Sequence, residues 1–305
     1  ATLIITAGSG LYLSGPALVK AAIGQEAPEE DLGGAKMHAQ ISGTIDFREP
    51  DDEAALARLR SLMGKVDAAR RPSDEARRGP PPYRAGDDVF KIFTDKAGAQ
   101  YDVKEVIACG VDSGARRDDD GGETLGPDFD EYKAEYGQSI VCGYARIGGH
   151  ACGIVANQKR LTTRQLPAGK AGPAKFTNMP GVIYDDSADK AARFILDCNQ
   201  RKNPIIFLHD TTGFMVGRDS EQGGIIRAGA KLVNAVSNSQ VPKIVVILGG
   251  SYGAGHYAMC GRAFEPFITF AWPSAKYAVM GANQATGTLA MIEERSRERK
   301  GEQID

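Results

Sequence analysis

The stretch that decides the fold is KIVVILGGSYGAGHYAMCG, Lys243 to Gly261. After Lys243, Ile244–Leu248 form a short, continuous apolar run, the pattern of a strand buried on both faces. A glycine-rich turn follows, and then a sequence that opens a helix. Three readings compete for the turn. Gly253-Ala-Gly-His-Tyr-Ala258 satisfies the G-x-G-x-x-A dinucleotide pattern, which is weak alone. No strand ending in an acidic residue follows it at about 20 residues, where a ribose ligand belongs. The glycines could instead only permit close packing of helix on strand. The third reading is a backbone oxyanion hole. The first N–H groups of a helix lack intrahelical partners, and small residues such as Gly253 and Ala254 leave them accessible to developing negative charge.

Outward from this segment the same unit recurs. Pro204 precedes the apolar run Ile205–Leu208, and Asp210-Thr-Thr-Gly-Phe-Met-Val-Gly-Arg218 supplies a second strand-end turn. A helix is predicted from about Glu221 to Gln240, with Ile225, Ile226, Leu232, Val233 and Val236 on its apolar face. Upstream, Asp186 or Ser187 caps a helix to about Lys202, with Ala191, Phe194, Ile195 and Cys198 on one face. Ile140–Ile147 and Cys152–Asn157 read as a hairpin around Gly148-Gly149. Short strands at Phe267–Trp272 and Lys276–Met280 precede a last helix from near Ala282. Strand, glycine turn and helix in repetition predict an α/β fold with parallel strands. Such turns sit side by side at strand ends, where α/β sheets bind ligands.

The rest of the chain reads less sharply. Ala1–Thr6 enters as a strand, and a helix over Glu53–Val66 carries Leu56, Leu59, Leu62 and Met63 on one face. Pro72, Pro80, Pro81 and Pro82 with alternating charge mark residues 69–88 as a linker. Arg116–Pro127 and Arg160–Pro180 read as long polar or Gly/Pro-rich loops. The Asp118-Asp119-Asp120 run lacks EF-hand spacing and reads as a solvated loop. With no initiator Met before the first strand and a charged stretch at Glu293–Asp305, we expect a piece of a longer subunit, incomplete at both ends.

Composition narrows the chemistry. The 305 residues are 42% hydrophobic and 25% charged, and 37 basic against 39 acidic side chains give a net charge of −2. That balance argues against a nucleic-acid coat. No apolar run reaches the roughly 18 to 20 residues of a membrane span. The five cysteines form no C-x-x-C pair, and the four histidines form no H-E-x-x-H, so neither a zinc site nor a disulfide framework is indicated. Buried, reduced cysteines are the reading that remains.

Several segments resemble one family in order. FLHDTTGFMVGRDSEQGGIIRAGAKLV (207–233), VPKIVVILGGSYGAGHYAMCGRAF (241–264) and WPSAKYAVMGANQA (272–285) resemble the carboxyltransferase (beta) subunit of biotin-dependent acyl-CoA carboxylases. GLYLSGPALVKAAIGQEAPEEDLGGAKMHAQISGTID (10–46) is similar to the end of that family's N-terminal domain. DVKEVIACGVD (102–112) and YGQSIVCGYARIGGHACGIVANQ (136–158) are similar to the start of its C-terminal domain. The resemblance implies a crotonase-like (ClpP/crotonase) superhelix of ββα turns in two related domains. Residues 1–85 would hold the end of the first domain plus the linker, and 86–305 a truncated second domain.

It also implies the reaction. CO2 would move between carboxybiotin and an acyl-CoA thioester, with biotin carried on a biotin carboxylase or biotin carboxyl carrier partner. A base from the cofactor and dipoles from the protein explain the lack of a catalytic triad or metal cluster. On the resemblance, Gly253 and Ala254 are the biotin-side oxyanion donors. Gly213 and Phe214 match the other C-domain turn and, with Tyr252 and Gly255, fall on the cofactor side. His256 and Tyr257 fall on the substrate side, Tyr257 where the propionyl and acetyl types carry an Asp that influences acyl choice. For both tyrosines core packing stays an alternative, and for His256 pocket lining or a subunit contact. His209 and Asp210 read as a strand-end pair that bonds the next turn.

GFMVGR (213–218) and the YGAG turn resemble the methylcrotonyl and geranyl type, whereas SADKAARFI (187–195) and EQGGIIRAGAKL (221–232) resemble the propionyl type. Lys159–Pro180 matches neither. A decarboxylase of the glutaconyl-CoA kind and a non-catalytic scaffold paralogue remain rival readings. The family implies a dimer-based homo-oligomer such as a hexamer, no nucleic-acid partner, and a cytoplasmic location, or the mitochondrial matrix in a eukaryote.

Overall fold

The computed structural model describes residues 2–66, 79–94, 96, 98–117, 123–169 and 172–300. Its centre is a seven-stranded mixed sheet. In spatial order the path runs Ile268–Ala271, Lys243–Tyr252, Ile205–Thr211, His150–Asn157, Ile140–Ile147 and Phe129–Tyr132, with Lys276–Ala278 added to the end of Lys243–Tyr252. The pairings from His150–Asn157 to Ile268–Ala271 are parallel. The other two are antiparallel, joined at one side by the Gly148-Gly149 hairpin, whose two N–H groups donate to the Asp112 carboxylate at 2.7 Å. The alternation of strand and helix read from the sequence is therefore the architecture of the sheet.

The crossover helices are Asp185–Arg201 and Ile225–Ser237. The first follows its predicted face: Ala191, Phe194, Ile195 and Cys198 are all buried against the sheet. Its start differs slightly. Tyr184 is the N-cap, and Ser187 reaches back from the first turn so that the Tyr184 N–H donates to its Oγ at 2.9 Å. The predicted single helix over 221–240 is two, Arg218–Gly223 and Ile225–Ser237, broken at Gly224 in the left-handed region. The rotation this imposes turns Ile226 out to solvent, while Ile225, Leu232 and Val236 stay buried. Phe194, Ile195, Leu232 and Val236 pack with Phe207 and Val245 on one face of the sheet. Val103, Ile107, Ile154 and Leu248, with Trp272, fill the other. Burial on both faces is why the parallel strands read as continuous apolar runs.

Two expected loops are hairpins instead. Ser113–Arg117 pairs with Glu123–Pro127, and Thr162–Gly169 with Gly172–Asn178, each an antiparallel two-stranded ribbon. Part of the expected linker is docked: Tyr83 N–H donates to Val111 O and Ser113 N–H to Pro81 O, both at 3.0 Å. Residues 69–78 and Asp118–Asp120 lie outside the described residues. On the helix Asp52–Gly64, only Leu62 of the predicted face is buried; Leu56, Leu59 and Met63 are exposed. All five cysteines are buried and unbridged, as the sequence suggested. No helix among the described residues is long and apolar enough to cross a membrane.

A buried ion pair ties the N-terminal segment to the sheet domain. Lys133 Nζ stands 2.9 Å from the Asp46 carboxylate and donates to the carbonyls of Gly43 (2.6 Å) and Ile45 (2.9 Å). The other Asp46 oxygen accepts from Leu3 N–H at 2.9 Å. Burial depresses the Lys133 ammonium, and the pairing with Asp46 opposes that. Removing the carboxylate strands a buried cation, which costs about 3–5 kcal/mol. We expect Asp46→Ala to lower the urea midpoint of the full-length subunit accordingly; an unchanged midpoint would show that the pair contributes nothing.

Candidate active site

Two strand ends build the site. The strand Lys243–Tyr252 runs without a break into the helix Gly253–Ala258. Beside it, Ile205–Thr211 runs into the turn Gly213–Gly217, whose Gly213–Phe214 pairs in parallel with Val182–Ile183. The two turns touch. A methyl group at Gly255 would stand 2.8 Å from Gly213 Cα and 3.0 Å from Thr211 Oγ1. A larger residue at 255 would therefore separate the strand ends, so close packing is one reason for the glycines.

The helix start also has the features of an anion site. Gly253 is its first residue, with φ of +50°, and a side chain there would meet the Val279 carbonyl at 2.7 Å. Ala254 is exposed and Gly253 half-buried. The N–H groups of this first turn have no intrahelical acceptor. The dipole of so short a helix adds little, so directed backbone donors are the asset here.

The remaining sequence-predicted residues divide. Gly213 supplies conformation rather than a donor: its φ is +123°, and its N–H already donates to Thr211 Oγ1 at 3.1 Å. Phe214 is half-buried against the core, its ring over Gly229 of the neighbouring helix. Tyr252, half-buried, caps the helix start and covers Gly250. Tyr257 is exposed and stacks on Phe264 at 4.5 Å between centroids. His256 is half-buried, with its ring 4.5 Å from that of Tyr277.

Three residues carry more of the site than sequence reasoning assigned them. Asp210 is buried at the point where the two strands shift register. Its carboxylate accepts from Tyr101 Oη (2.9 Å), Lys159 Nζ (2.8 Å) and Gly250 N–H (2.9 Å). Burial and the neighbouring carboxylate push the Tyr101 phenol far up, so it stays a donor. His209 is fully buried and bonds Ser251 Oγ through Nδ1 and Met259 O through Nε2. Ser251, also fully buried, bonds His256 Nδ1 at 2.8 Å. Burial pushes His209 down to about 3, and also lowers His256. The adjacent glycine pair Gly249-Gly250 was the sequence signal for Asp210. Partners 42 residues apart gave none for His209 and Ser251.

The arrangement offers backbone donors over a fixed set of side chains, the hydrogen-bonded His209 and Ser251 beside the Asp210–Lys159 ion pair. Cys260 is buried and its thiol is pushed up to about 11, so it stays protonated at neutral pH. Such a site can stabilise an oxyanion. The carboxyl transferase domain family matches residues 1–305. The chain belongs to that family. It is 39% identical over 297 residues to a probable biotin-dependent acyl-coenzyme A carboxylase beta2 subunit of Mycobacterium tuberculosis, covering 97% of this chain and 50% of that protein. It is 38% identical over 319 residues to a probable mitochondrial methylcrotonoyl-CoA carboxylase beta chain of Drosophila melanogaster, covering 99% and 49%. A crystal structure of transcarboxylase 12S, with hydrolysed methylmalonyl-coenzyme A bound, matches with a TM-score of 0.73 at 32% identity, covering 94% of this chain and 51% of that one. The chain thus spans about half the length of the relatives it matches. The α/β architecture is the crotonase-like fold of these carboxyltransferases.

Two outcomes test the packing. Gly255→Ala should destabilise the full-length subunit by about 1–3 kcal/mol, as overpacking does; an unchanged melting temperature would show that the turns separate freely. His209 is kept neutral by the fold, so its contribution is complete above the ordinary histidine value of 6.5. It is lost as pH falls from there toward about 3. Melting temperatures between pH 7.5 and 4.5 should fall more steeply for the wild type than for His209→Gln; equal slopes would contradict the assignment.

Proposed function

We propose that this chain supplies the biotin-side half of a carboxyltransferase site, in a subunit that moves CO2 between carboxybiotin and an acyl-CoA. The observation that carries the reading is the helix start at Gly253 and Ala254, the first half-buried and the second exposed, whose first-turn N–H groups have no intrahelical acceptor. They are held by a helix that packs on the neighbouring glycine turn at Gly213. When bound, carboxybiotin supplies the CO2 and, through its ureido nitrogen, the base. The chain's own task is electrostatic and positional. Gly253 and Ala254 direct N–H groups at the carbonyl oxygen where negative charge develops. The residues fit this task, because Ala254 is exposed and the bulk that could block the donors is absent at 253 and 255.

For substrate and assembly, support comes from the relatives rather than from the cleft. Identity to methylcrotonyl-type beta chains favours a branched, short acyl-CoA. Tyr257, exposed on the helix, and Tyr277, against His256, stand where an acyl chain or the biotin ring could pack. The edge strand Ile268–Ala271 and the residues on either side of it present Phe267, Phe270, Tyr277 and Val279 to solvent. Several large apolar side chains exposed along one sheet edge mark a protein contact, and we assign them to assembly of the complete subunit into a homo-oligomer. Residues 1–85 then close one domain and 86–305 form most of the next. A biotin carboxylase or carboxyl carrier subunit brings the cofactor.

The test uses the full-length subunit with free biotin and methylmalonyl-, 3-methylglutaconyl- and glutaconyl-CoA, each followed by mass spectrometry. We expect biotin-dependent loss of one thioester. Ala254→Val, at an exposed position, should lower that rate by roughly 10²-fold, as loss of an oxyanion donor does. Gly253→Val should do at least as much. Full activity in Ala254→Val would reject the donor role, and no biotin-dependent loss from folded protein would reject the reaction.

A further inference from the structure

The bond directions between His209, Ser251 and His256 can be read from the end of the chain backward. The Met259 carbonyl only accepts, so His209 Nε2 carries the proton and donates to it. His209 is fully buried and neutral, which leaves its Nδ1 a bare acceptor. Ser251 therefore turns its hydroxyl hydrogen to His209 Nδ1, at 2.9 Å. The Ser251 oxygen is then free to accept, and His256 Nδ1–H donates to it at 2.8 Å. The order is His256, Ser251, His209, Met259, with every hydrogen pointing the same way. Because it ends on a carbonyl, the chain cannot hand a proton onward, so it is not a proton wire.

What it joins is informative. Ser251 is the last but one residue of the strand that feeds the helix Gly253–Ala258, and His256 lies on that helix. Met259 immediately follows it, and His209 belongs to the neighbouring strand. The helix is thus tied near its middle and at its end to both strands beneath it. At six residues it has too little of its own hydrogen bonding to hold an axis unaided. The Gly255–Gly213 contact sets how closely the helix lies on the strand ends, and its tilt decides where the N–H groups of Gly253 and Ala254 point.

We infer that His209, Ser251 and His256 act as positioning residues, a one-way hydrogen-bond chain that sets the orientation of the helix start and so aims the backbone donors at Gly253 and Ala254. The inference rests on the donor role proposed above. None of the three residues needs to touch a reacting atom. Asparagine at 256 can place its amide nitrogen where the histidine Nδ1 stands and keep the bond to Ser251; leucine keeps bulk and loses it.

The experiment has two readouts on the full-length subunit. Solid-state NMR of histidine-labelled protein reports tautomers. We expect His209 protonated at Nε2 and His256 at Nδ1, with both signals moved by Ser251→Ala. The opposite tautomers overturn the chain whatever the enzyme does. Kinetics with free biotin and the thioester turned over supply the second. Ser251→Ala and His256→Leu should lower kcat/KM for biotin roughly 10- to 100-fold, the scale of a small misplacement, while the dissociation constant for the acyl-CoA stays within about twofold. His256→Asn should recover to within about threefold of the wild type. Wild-type rates in His256→Leu, no advantage of asparagine over leucine, or an equal loss of acyl-CoA affinity would each overturn the positioning role. A wild type without biotin-dependent turnover instead removes the carboxyltransferase reading, and the tautomers then judge the hydrogen-bond chain alone.

Discussion

The architecture of the site depends on one buried carboxylate. Asp210 sits where two parallel strands slip out of register, and an unpaired charge there would be costly. Three donors satisfy it: Tyr101, Lys159 just beyond the strand His150–Asn157, and the backbone of Gly250. The last of these requires the strand carrying Gly249 to come close, and a side chain at Gly249 would meet the Asp210 carboxyl at 2.7 Å. The carboxylate and the glycine are thus one device. It draws the strand ends together, and the contact of Gly255 with Gly213 is the consequence one turn further on.

This geometry separates what the sequence reveals from what it hides. The sheet strands and the Asp185–Arg201 helix were legible because burial imposes a pattern. A strand covered on both faces must be apolar throughout, as Ile205–Leu208 and Ile244–Leu248 are, and a helix covered on one must repeat at 3.6. The hairpins at 113–127 and 162–178 escaped because neither joins the central sheet. Their cross-strand bonds are satisfied within the pair, so TTRQLPAG needs no apolar alternation to be a strand. Leu56, Leu59 and Met63 show the converse: an apolar helical stripe predicts a face that wants cover, and in this chain only Leu62 finds it.

The same distinction applies within the site. The glycine turns announced themselves, since few other residues permit such close approach. Ser251 and His209 did not, because a buried hydroxyl and a buried imidazole look like any polar residues at a strand end. Their meaning lies in pairing across 42 residues, and only the parallel register that sets Ile205–Thr211 beside Lys243–Tyr252 creates it.

A site built on backbone donors places unusual demands on what surrounds it. Side-chain catalysts can be re-aimed by a rotamer change, but a peptide N–H points wherever its helix points. Aim must then be set by the packing and hydrogen bonding of the whole turn. In this chain those duties fall on residues that are buried and held neutral or fully paired: Asp210 with its three donors, His209 between the Ser251 hydroxyl and the Met259 carbonyl, and Ser251 between the histidines. A neutral cluster is also the electrostatically safe choice. A charged imidazolium beneath the donors would attract anions without regard to where they sat, whereas burial that holds His209 uncharged adds no net charge to a site where Asp210 and Lys159 already balance each other. Selectivity for the position at which negative charge develops, rather than for negative charge in general, then follows from the direction of two backbone bonds.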